Sequence, residues 1–261
     1  MIKRRPVLWR IAFAIIVAAL LGSIPFVFAG ASQIPSMVSM VFPEDQSEKG
    51  ACPNGYVALT FDDGPDPVIT PQISQALRNG GARGTFFVVG ARAEAHPEIV
   101  RQIRAEGMEV GNHTYDHPFL DELSPDQLRD QMIVTNEIID GTGGPAPTLF
   151  RPPYGRTNGM VQETARALGM TEVLWTYDSD DYAQVTVDQM MGVAAKAKNG
   201  DVLLFHDLFP STVQAIPRIL ADFSARGICS GRIVPSGTPT QAWLDYDGDD
   251  RAYYGATTAR W

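Results

Sequence analysis

Short apolar runs alternate with longer amphipathic segments through most of the chain. Six runs rich in apolar or β-branched residues predict strands, at Tyr56–Phe61, Thr85–Val89, Glu109–Asn112, Thr148–Arg151, Glu172–Tyr177 and Val202–Phe205. The segments between them have helical spacing, at Pro71–Asn79, Pro97–Glu106, Pro125–Ile139, Met160–Leu168, Val187–Lys198 and Val213–Arg226. Such repeated alternation predicts parallel strands covered by helices.

Local signals support these helices and narrow the fold class. Ser124 and Thr186 each precede a helical segment and have Gln three residues later, which is the pattern of a capping box. No Gly-rich dinucleotide or phosphate loop follows the first strand, which argues against an open doubly wound sheet. We therefore predict an α/β fold with a single distorted (β/α) barrel, whose active site lies at the C-terminal ends of the strands.

The two ends of the chain have a different character. Residues 1–31 combine a basic start with an uncharged stretch from 11 to 28 and a small-residue site, which predicts a signal peptide or an N-terminal membrane anchor. Residues 32–50 are polar and aperiodic and are interpreted as a linker, so residues 51–235 form the predicted catalytic domain. The tail, 236–261, is rich in aromatic residues and Asp; it packs on the barrel, contacts carbohydrate or is poorly ordered.

The net charge and the two cysteines indicate which partners and which cellular compartment suit this chain. The chain of 261 residues has a formal charge of −9, and loss of residues 1–31 would make it −13, which argues against a nucleic-acid partner. We expect an exported monomer, secreted or held at the cell surface, that acts on neutral or weakly charged substrates. Cys52 and Cys229 flank nearly all of the periodic sequence, and we expect them to form a disulfide; two separate buried thiols are the alternative.

Candidate chemistry begins at the end of the first predicted strand. Asp62 and Asp63 follow each other there, and alternation along a strand predicts that they face different directions, one for a metal and one for a proton. The alternative is a turn in which both only bind the backbone. His113 and His117 follow the third strand and can meet one cation if the segment makes a helical turn. Asp63 would complete a three-residue site with open positions.

Further polar residues follow the later strands. Arg151 begins a loop that is stiffened by two prolines, and its planar guanidinium can hold a carboxylate. The segment Asp178–Tyr182 follows the fifth strand, and His206 follows the last, where an Asp could fix its tautomer. No Gly-x-Ser-x-Gly elbow is present, which disfavours a Ser-His-Asp hydrolase.

Five segments, in this order, resemble the motifs of the polysaccharide deacetylases, the NodB-homology domain of carbohydrate esterase family 4. They are Thr60–Pro65, His113–His117, Arg151–Tyr154, Asp178–Tyr182 and Leu203–His206. The resemblance covers roughly residues 52–235 and implies a distorted (β/α) barrel. It also implies removal of acetyl groups from N-acetylglucosamine polymers such as chitin or peptidoglycan, or from acetylated xylan.

The resemblance assigns roles position by position. Asp63, His113 and His117 would bind a divalent metal, usually zinc, with cobalt or manganese as alternatives. Asp62 would be the general base, held by Arg151, and His206 the general acid, oriented by Asp181. Substrate contacts would come from Pro153, from the backbone N–H of Tyr154, from Leu203 at the acetyl methyl and from Tyr182, where many members have Trp. A carbohydrate N-deacetylase is the leading hypothesis, ahead of an acetylxylan esterase and a non-catalytic carbohydrate-binding protein.

Overall fold

The computed structural model describes residues 38–41 and 52–235. The predicted signal or anchor, most of the predicted linker and the tail lie outside these residues. Within the described part of the chain, no helix has both the length and the apolar character needed to cross a membrane.

The strands and helices follow the predicted alternation. The strands are β1 (Val38–Val41), β2 (Tyr56–Asp62), β3 (Thr85–Val88), β4 (Glu109–Asn112), β5 (Leu149–Phe150), β6 (Thr171–Glu172), β7 (Tyr177–Asp178), β8 (Val202–His206) and β9 (Cys229–Pro235). The helices are α1 (Ile69–Asn79), α2 (Gly90–Ala95), α3 (Pro97–Ala105), α4 (Pro125–Gly141), α5 (Gly159–Ala167), α6 (Val187–Ala194) and α7 (Pro210–Ala225). Both predicted capping boxes are present, at the starts of α4 and α6.

The strands form a curled sheet in the order β1-β9-β2-β3-β4-β5-β6, and β8 pairs with both β2 and β7. The pairs are parallel apart from β1 with β9, which is antiparallel. Among the described strands no pairing joins β6 to β7, so the barrel has a seam there. The predicted distorted (β/α) barrel is confirmed, and the C-terminal ends of its strands share one face.

The seam corrects one predicted strand. The run Glu172–Tyr177 was expected to be continuous, but β6 ends at Glu172 and β7 begins at Tyr177. Between them, the carbonyl oxygens of Val173 and Leu174 each accept a hydrogen bond of 3.0 Å from the guanidinium of Arg151. These carbonyls are therefore used by a side chain from another part of the fold instead of a neighbouring strand.

Other differences lie in short or distant elements. The sequence prediction missed β9 and the short helix α2, and it extended α6 to Lys198, although the helix ends at Ala194. Strand β1 lies within the segment interpreted as a linker, where Val38–Val41 pairs with Arg232–Pro235 of β9. The division into signal or anchor, linker, domain and tail stays a prediction.

One face of β2 and β8 packs against the helices. Leu59 and Phe61 of β2 and Leu203 and Phe205 of β8 are fully buried in one apolar cluster with residues of α1 and α7. The register places Asp62 beside His206. Because side chains alternate along a strand, Thr60, Asp62, Leu204 and His206 lie on the opposite face, towards the barrel interior.

The predicted disulfide is confirmed. Cys52 and Cys229 are bonded with a Cα–Cα distance of 5.6 Å across a sequence separation of 177 residues. The N–H of Cys229 also donates to the carbonyl of Gly55, at 3.0 Å. The bond therefore joins the segment before β2 to the first residue of β9.

Candidate active site

The two adjacent carboxylates at the end of β2 converge on one histidine. Asp62 is the last residue of the strand and is 3% exposed, whereas Asp63 has a left-handed backbone with φ of 74°. This conformation turns Asp63 back towards the mouth of the barrel, so the predicted divergence by strand alternation is wrong. His113 Nε2 lies 3.6 Å from Asp62 Oδ2 and 3.4 Å from Asp63 Oδ1.

The loop after Asp63 is fixed by Asp207, which directly follows β8. Asp207 is fully buried; its Oδ1 accepts from the N–H of Gly64 at 2.9 Å, and its Oδ2 accepts from the hydroxyl of Thr70. Its own N–H donates to the carbonyl of Asp62 at 3.2 Å. Burial raises the pKa of Asp207 to about 7. This carboxylate thereby ties the loop that carries Asp62 and Asp63 to the strand that carries His206.

His113 and His117 face the same point without the predicted helical turn. Thr114 and His117 have positive φ, 66° and 62°, and these two residues reverse the chain after β4. The reversal is supported by the side chain of Asn112, which accepts from the N–H of Thr114 at 2.8 Å, and by the hydroxyl of Thr114, which accepts from the N–H of His117 at 3.2 Å. The predicted turn geometry is wrong, but the convergence of the two imidazoles follows the prediction.

These residues form a candidate metal site. One ligand atom from each of Asp63, His113 and His117 lies within 4.8 Å of the others. Asp63 Oδ1 is buried without a hydrogen-bond partner among the described residues, and it lies 3.2 Å from His117 Nε2. An unpartnered buried carboxylate oxygen between two imidazole nitrogens fits a divalent cation.

Neighbouring groups favour the forms of His113 and Asp63 that can bind a metal. His113 Nδ1 donates to the carbonyl oxygen of Arg151 at 2.7 Å, which leaves the lone pair of Nε2 facing Asp63 in the neutral ring. Burial alone would raise the pKa of Asp63, but the imidazoles of His113 and His117 beside it lower the pKa well below its usual value. Asp63 is therefore held as a carboxylate, the form that binds metal.

Arg151 lies under the site and is fully buried. Its Nη1 donates to Asp62 Oδ1 and to the hydroxyl of Thr60, both at 2.8 Å. Its Nε and Nη2 donate to the carbonyls of Val173 and Leu174 at the seam. The guanidinium thus orients Asp62, as the resemblance implies, and in addition ties the segment that follows β6 to β2.

On the other side of Asp62, His206 is held by Asp181. Its Nδ1 donates to Asp181 Oδ1 at 2.7 Å, and its backbone N–H donates to Asp181 Oδ2 at 2.8 Å. The hydroxyl of Thr212 also donates to Asp181 Oδ2, at 2.6 Å. Burial opposes a charged imidazole, but the hydrogen bond and the charge of Asp181 outweigh it and raise the pKa of His206 to about 9. His206 is therefore protonated at neutral pH and can act as an acid.

Two tyrosines flank the histidines. Tyr154 has a left-handed backbone with φ of 60°, and its ring centroid lies 4.5 Å from that of His117. Pro153, which precedes it, is buried. The Tyr182 ring lies 5.6 Å from that of His206, and its hydroxyl donates to Asp180 at 3.4 Å. The structure brings all of these predicted residues to the barrel mouth, whereas their contacts with substrate stay a prediction.

Leu203 is the exception among the predicted site residues. It packs in the apolar cluster on the helix side of β8, with its side chain on the opposite face from that of His206. Leu204 shares the interior face with His206 and is 3% exposed. The predicted position of the Leu203 side chain at the site is wrong, because it faces the helices, and Leu204 is the β8 leucine on the site side.

The sequence reasoning also missed Asp207 and Thr212. Each contacts a site residue or its loop through a buried side chain. Asp207 had a signal in the sequence, because it is a carboxylate directly after the strand-end histidine. Thr212 had none, since it reaches Asp181 from the first turn of α7.

Known proteins similar to this chain share the same domain. A family profile described as polysaccharide deacetylase matches residues 49–173. A peptidoglycan-N-acetylglucosamine deacetylase of Bacillus cereus is 38% identical over 182 residues, which cover 66% of this chain and 83% of the relative. A bifunctional xylanase/xylan deacetylase of Cellvibrio japonicus is 36% identical over 184 residues. The match covers 70% of this chain but only 28% of that larger protein.

A solved structure is similar in fold as well as in sequence. It is a family 4 carbohydrate esterase from Streptomyces lividans in complex with acetate, 41% identical, with a TM-score of 0.66. The match covers 68% of this chain and 92% of that structure.

Proposed function

The chain belongs to the polysaccharide deacetylase family, and from that premise we propose that it hydrolyses N-acetyl groups of N-acetylglucosamine residues in chitin oligomers or peptidoglycan. The prediction of a carbohydrate deacetylase is confirmed at the level of the family. The observation that carries the proposal is the arrangement of a held carboxylate, Asp62, and a held imidazolium, His206, beside a candidate metal site.

Asp63, His113 and His117 would hold the metal, and zinc is the proposed ion because one carboxylate and two imidazoles suit it. When bound, such a cation activates a water molecule and polarises the acetyl carbonyl. A three-residue ligand set leaves room for both groups.

The protein residues would move the protons. Asp62 accepts the proton of the attacking water, while Arg151 keeps its Oδ1 in place and leaves Oδ2 turned towards His113. His206 then donates a proton from Nε2 to the departing amine, and Asp181 stabilises the imidazolium until that transfer. The backbone N–H of Tyr154 would donate to the oxyanion. The Tyr154 ring, 4.5 Å from that of His117, places this residue beside the candidate metal site.

Location is a further part of the proposal. Export, by cleavage of residues 1–31 or by retention as an anchor, is supported by the disulfide, which is typical of oxidising compartments. The predicted domain limits and the monomeric state belong to the same proposal.

O-deacetylation of xylan is the second candidate. It is favoured by the similarity to the xylan deacetylase of Cellvibrio japonicus. Acetate release from chito-oligosaccharides, peptidoglycan fragments and acetylated xylan, compared at equal concentrations, distinguishes the two candidates.

The test of the mechanism is Asp62→Asn in the full chain, with Asp116→Asn, an exposed carboxylate of the histidine loop, as the matched control. Asp62→Asn should lower acetate release by about 10²- to 10⁴-fold while zinc binding, measured by calorimetry, is retained. The control variant should keep full activity, and chelation should abolish activity in both the wild type and the control. Substantial turnover by Asp62→Asn would refute the assignment of the base.

A further inference from the structure

A column of contacting side chains leads outward from the candidate metal site. The ring of Tyr154 lies 4.5 Å from that of His117 and 4.5 Å from that of Phe119. The guanidinium carbon of Arg156 then lies 4.3 Å from the centre of the Phe119 ring. Phe119 and Arg156 each follow a site residue by two positions, so the loops that carry His117 and Tyr154 also build this column.

The outer end of the column is exposed and held in place. Phe119 is 41% exposed, and the side chain of Arg156 is 38% exposed. Arg156 is fixed by Asp121, which accepts from its Nη2 at 2.6 Å and from its Nε at 3.1 Å, and by Glu122, which accepts from Nη2 at 3.1 Å. A guanidinium held over an aromatic ring by two carboxylates gives a surface that needs little ordering when a ligand binds.

The charges around Arg156 indicate what this surface can bind. Its positive charge is paired with two carboxylates, Asp121 and Glu122, so the surface is not suited to an anion. A neutral sugar ring presents apolar C–H groups that pack on the exposed part of an aromatic ring and on the plane of a guanidinium, and hydroxyls that hydrogen-bond to planar polar groups. The hydrogen bonds of Arg156 within the described residues use Nε and Nη2, so Nη1 can donate to a sugar hydroxyl.

We infer that Phe119 and Arg156 form a subsite for an uncharged sugar residue that neighbours the acetylated one. This inference rests on the proposed function and adds a preference for longer chains. Two ring contacts separate Phe119 from His117, so a single sugar held at the metal site does not need the subsite, whereas an oligosaccharide extending past Tyr154 contacts it. Phe119 is therefore a specificity-determining residue for chain length.

The experiment compares wild type, Phe119→Ala and Phe119→Tyr in acetate release from chito-oligosaccharides of increasing length and from a small acetyl ester. In wild type, kcat/KM should rise with chain length. Phe119→Ala should lose about tenfold on the longer chains, mainly through KM, and keep its rate on the small ester. Phe119→Tyr keeps a ring and should restore the preference for length.

Val134→Ala is the matched control, because Val134 is 39% exposed on α4 and lies outside the column. It should match wild type on every substrate. An unchanged length dependence in Phe119→Ala overturns the inference, and so does an equal loss on oligosaccharide and small ester, which would indicate a structural role.

A binding measurement separates this inference from the proposed function. Calorimetric titration of the zinc-loaded chain with chitotetraose should show about tenfold weaker binding for Phe119→Ala than for wild type, even if neither releases acetate. Lack of acetate release by wild type on every substrate would refute the proposed function alone. Equal affinity of the two proteins for chitotetraose would refute the subsite.

Discussion

The contact between Gly64 and Asp207 allows a quantitative test of how the catalytic loop is held. A Cβ atom at Gly64 would lie 1.9 Å from Asp207 Oδ2, which is closer than any real contact. Gly64 is not among the residues with positive φ, so its backbone tolerates alanine and the restriction is steric. The carboxylate cannot easily move away, because it is fully buried and bonded to Thr70 and to the N–H of Gly64.

Single substitutions at either position should destabilise the protein. Gly64→Ala overpacks the loop and should lower the free energy of unfolding by about 1–3 kcal/mol. Asp207→Ala leaves the buried N–H of Gly64 without its partner and should also cost about 1–3 kcal/mol. In the double variant the alanine at position 64 occupies space that the carboxylate has left. The combined loss should therefore be smaller than the sum of the two losses by about 2 kcal/mol.

Urea unfolding followed by circular dichroism at pH 8 measures these free energies. This pH lies above the pKa of Asp207, about 7, so the substitution removes a carboxylate and not a neutral acid. Gly159→Ala is the matched control, since a Cβ there meets nothing within 4 Å; its effect should be small and additive with that of Asp207→Ala. If the losses from Gly64→Ala and Asp207→Ala simply add, steric conflict with the carboxylate is not what requires glycine.

Three further predictions concern the acid, the acyl pocket and the disulfide. In Asp181→Asn, the pKa of His206 should fall from about 9 towards its usual 6.5, so the alkaline limb of the pH profile of kcat should move to lower pH. If kcat measured over a pH series shows no such move, His206 is not the acid. Leu204→Ala should raise the rate of propionyl release relative to acetyl release, measured on matched esters, and an unchanged ratio would place the acyl pocket elsewhere. Replacing both Cys52 and Cys229 by serine should lower the free energy of unfolding by up to about 5 kcal/mol, because the bond closes a separation of 177 residues. This would be contradicted if the variant and the wild type gave the same urea unfolding curve without reductant.

The sequence predicted which polar residues lie together, because they follow the ends of parallel strands. Such strand ends meet on one face of a barrel, so Asp62, His113, Arg151 and His206 could be placed together without knowledge of the loops. Strand alternation, counted back from His206, would also have identified Leu204 in place of Leu203.

Backbone conformation was not predictable in the same way. The left-handed conformations of Asp63 and His117 are unusual for residues with side chains, and the surrounding hydrogen bonds impose them more than the local sequence does. The orientation of Asp63 could therefore not be read from strand alternation, and the turn between the two histidines could not be read from their spacing.

Long-range contacts explain the remaining misses. The break between β6 and β7 depends on hydrogen bonds from Arg151, which is 22 residues or more from the carbonyls it contacts. Strand β1 gains its pairing from β9, close to the other end of the described chain. Neither partner is visible in a local sequence window, so hydrophobic periodicity could not find these features.

The hydrogen bonds that Arg151 makes at the seam limit how this protein can be inactivated or redesigned. The same guanidinium holds the segment that follows β6 and orients Asp62, so selection for folding and selection for turnover act on one side chain. Removing it would leave Asp62 buried without its partner, at a cost of about 3–5 kcal/mol, and would also leave the carbonyls of Val173 and Leu174 without these hydrogen bonds. An inactive protein intended for use in cells should therefore carry Asp62→Asn, whose side-chain oxygen can still accept from Arg151, since loss of Arg151 would lower the amount of folded protein along with its activity.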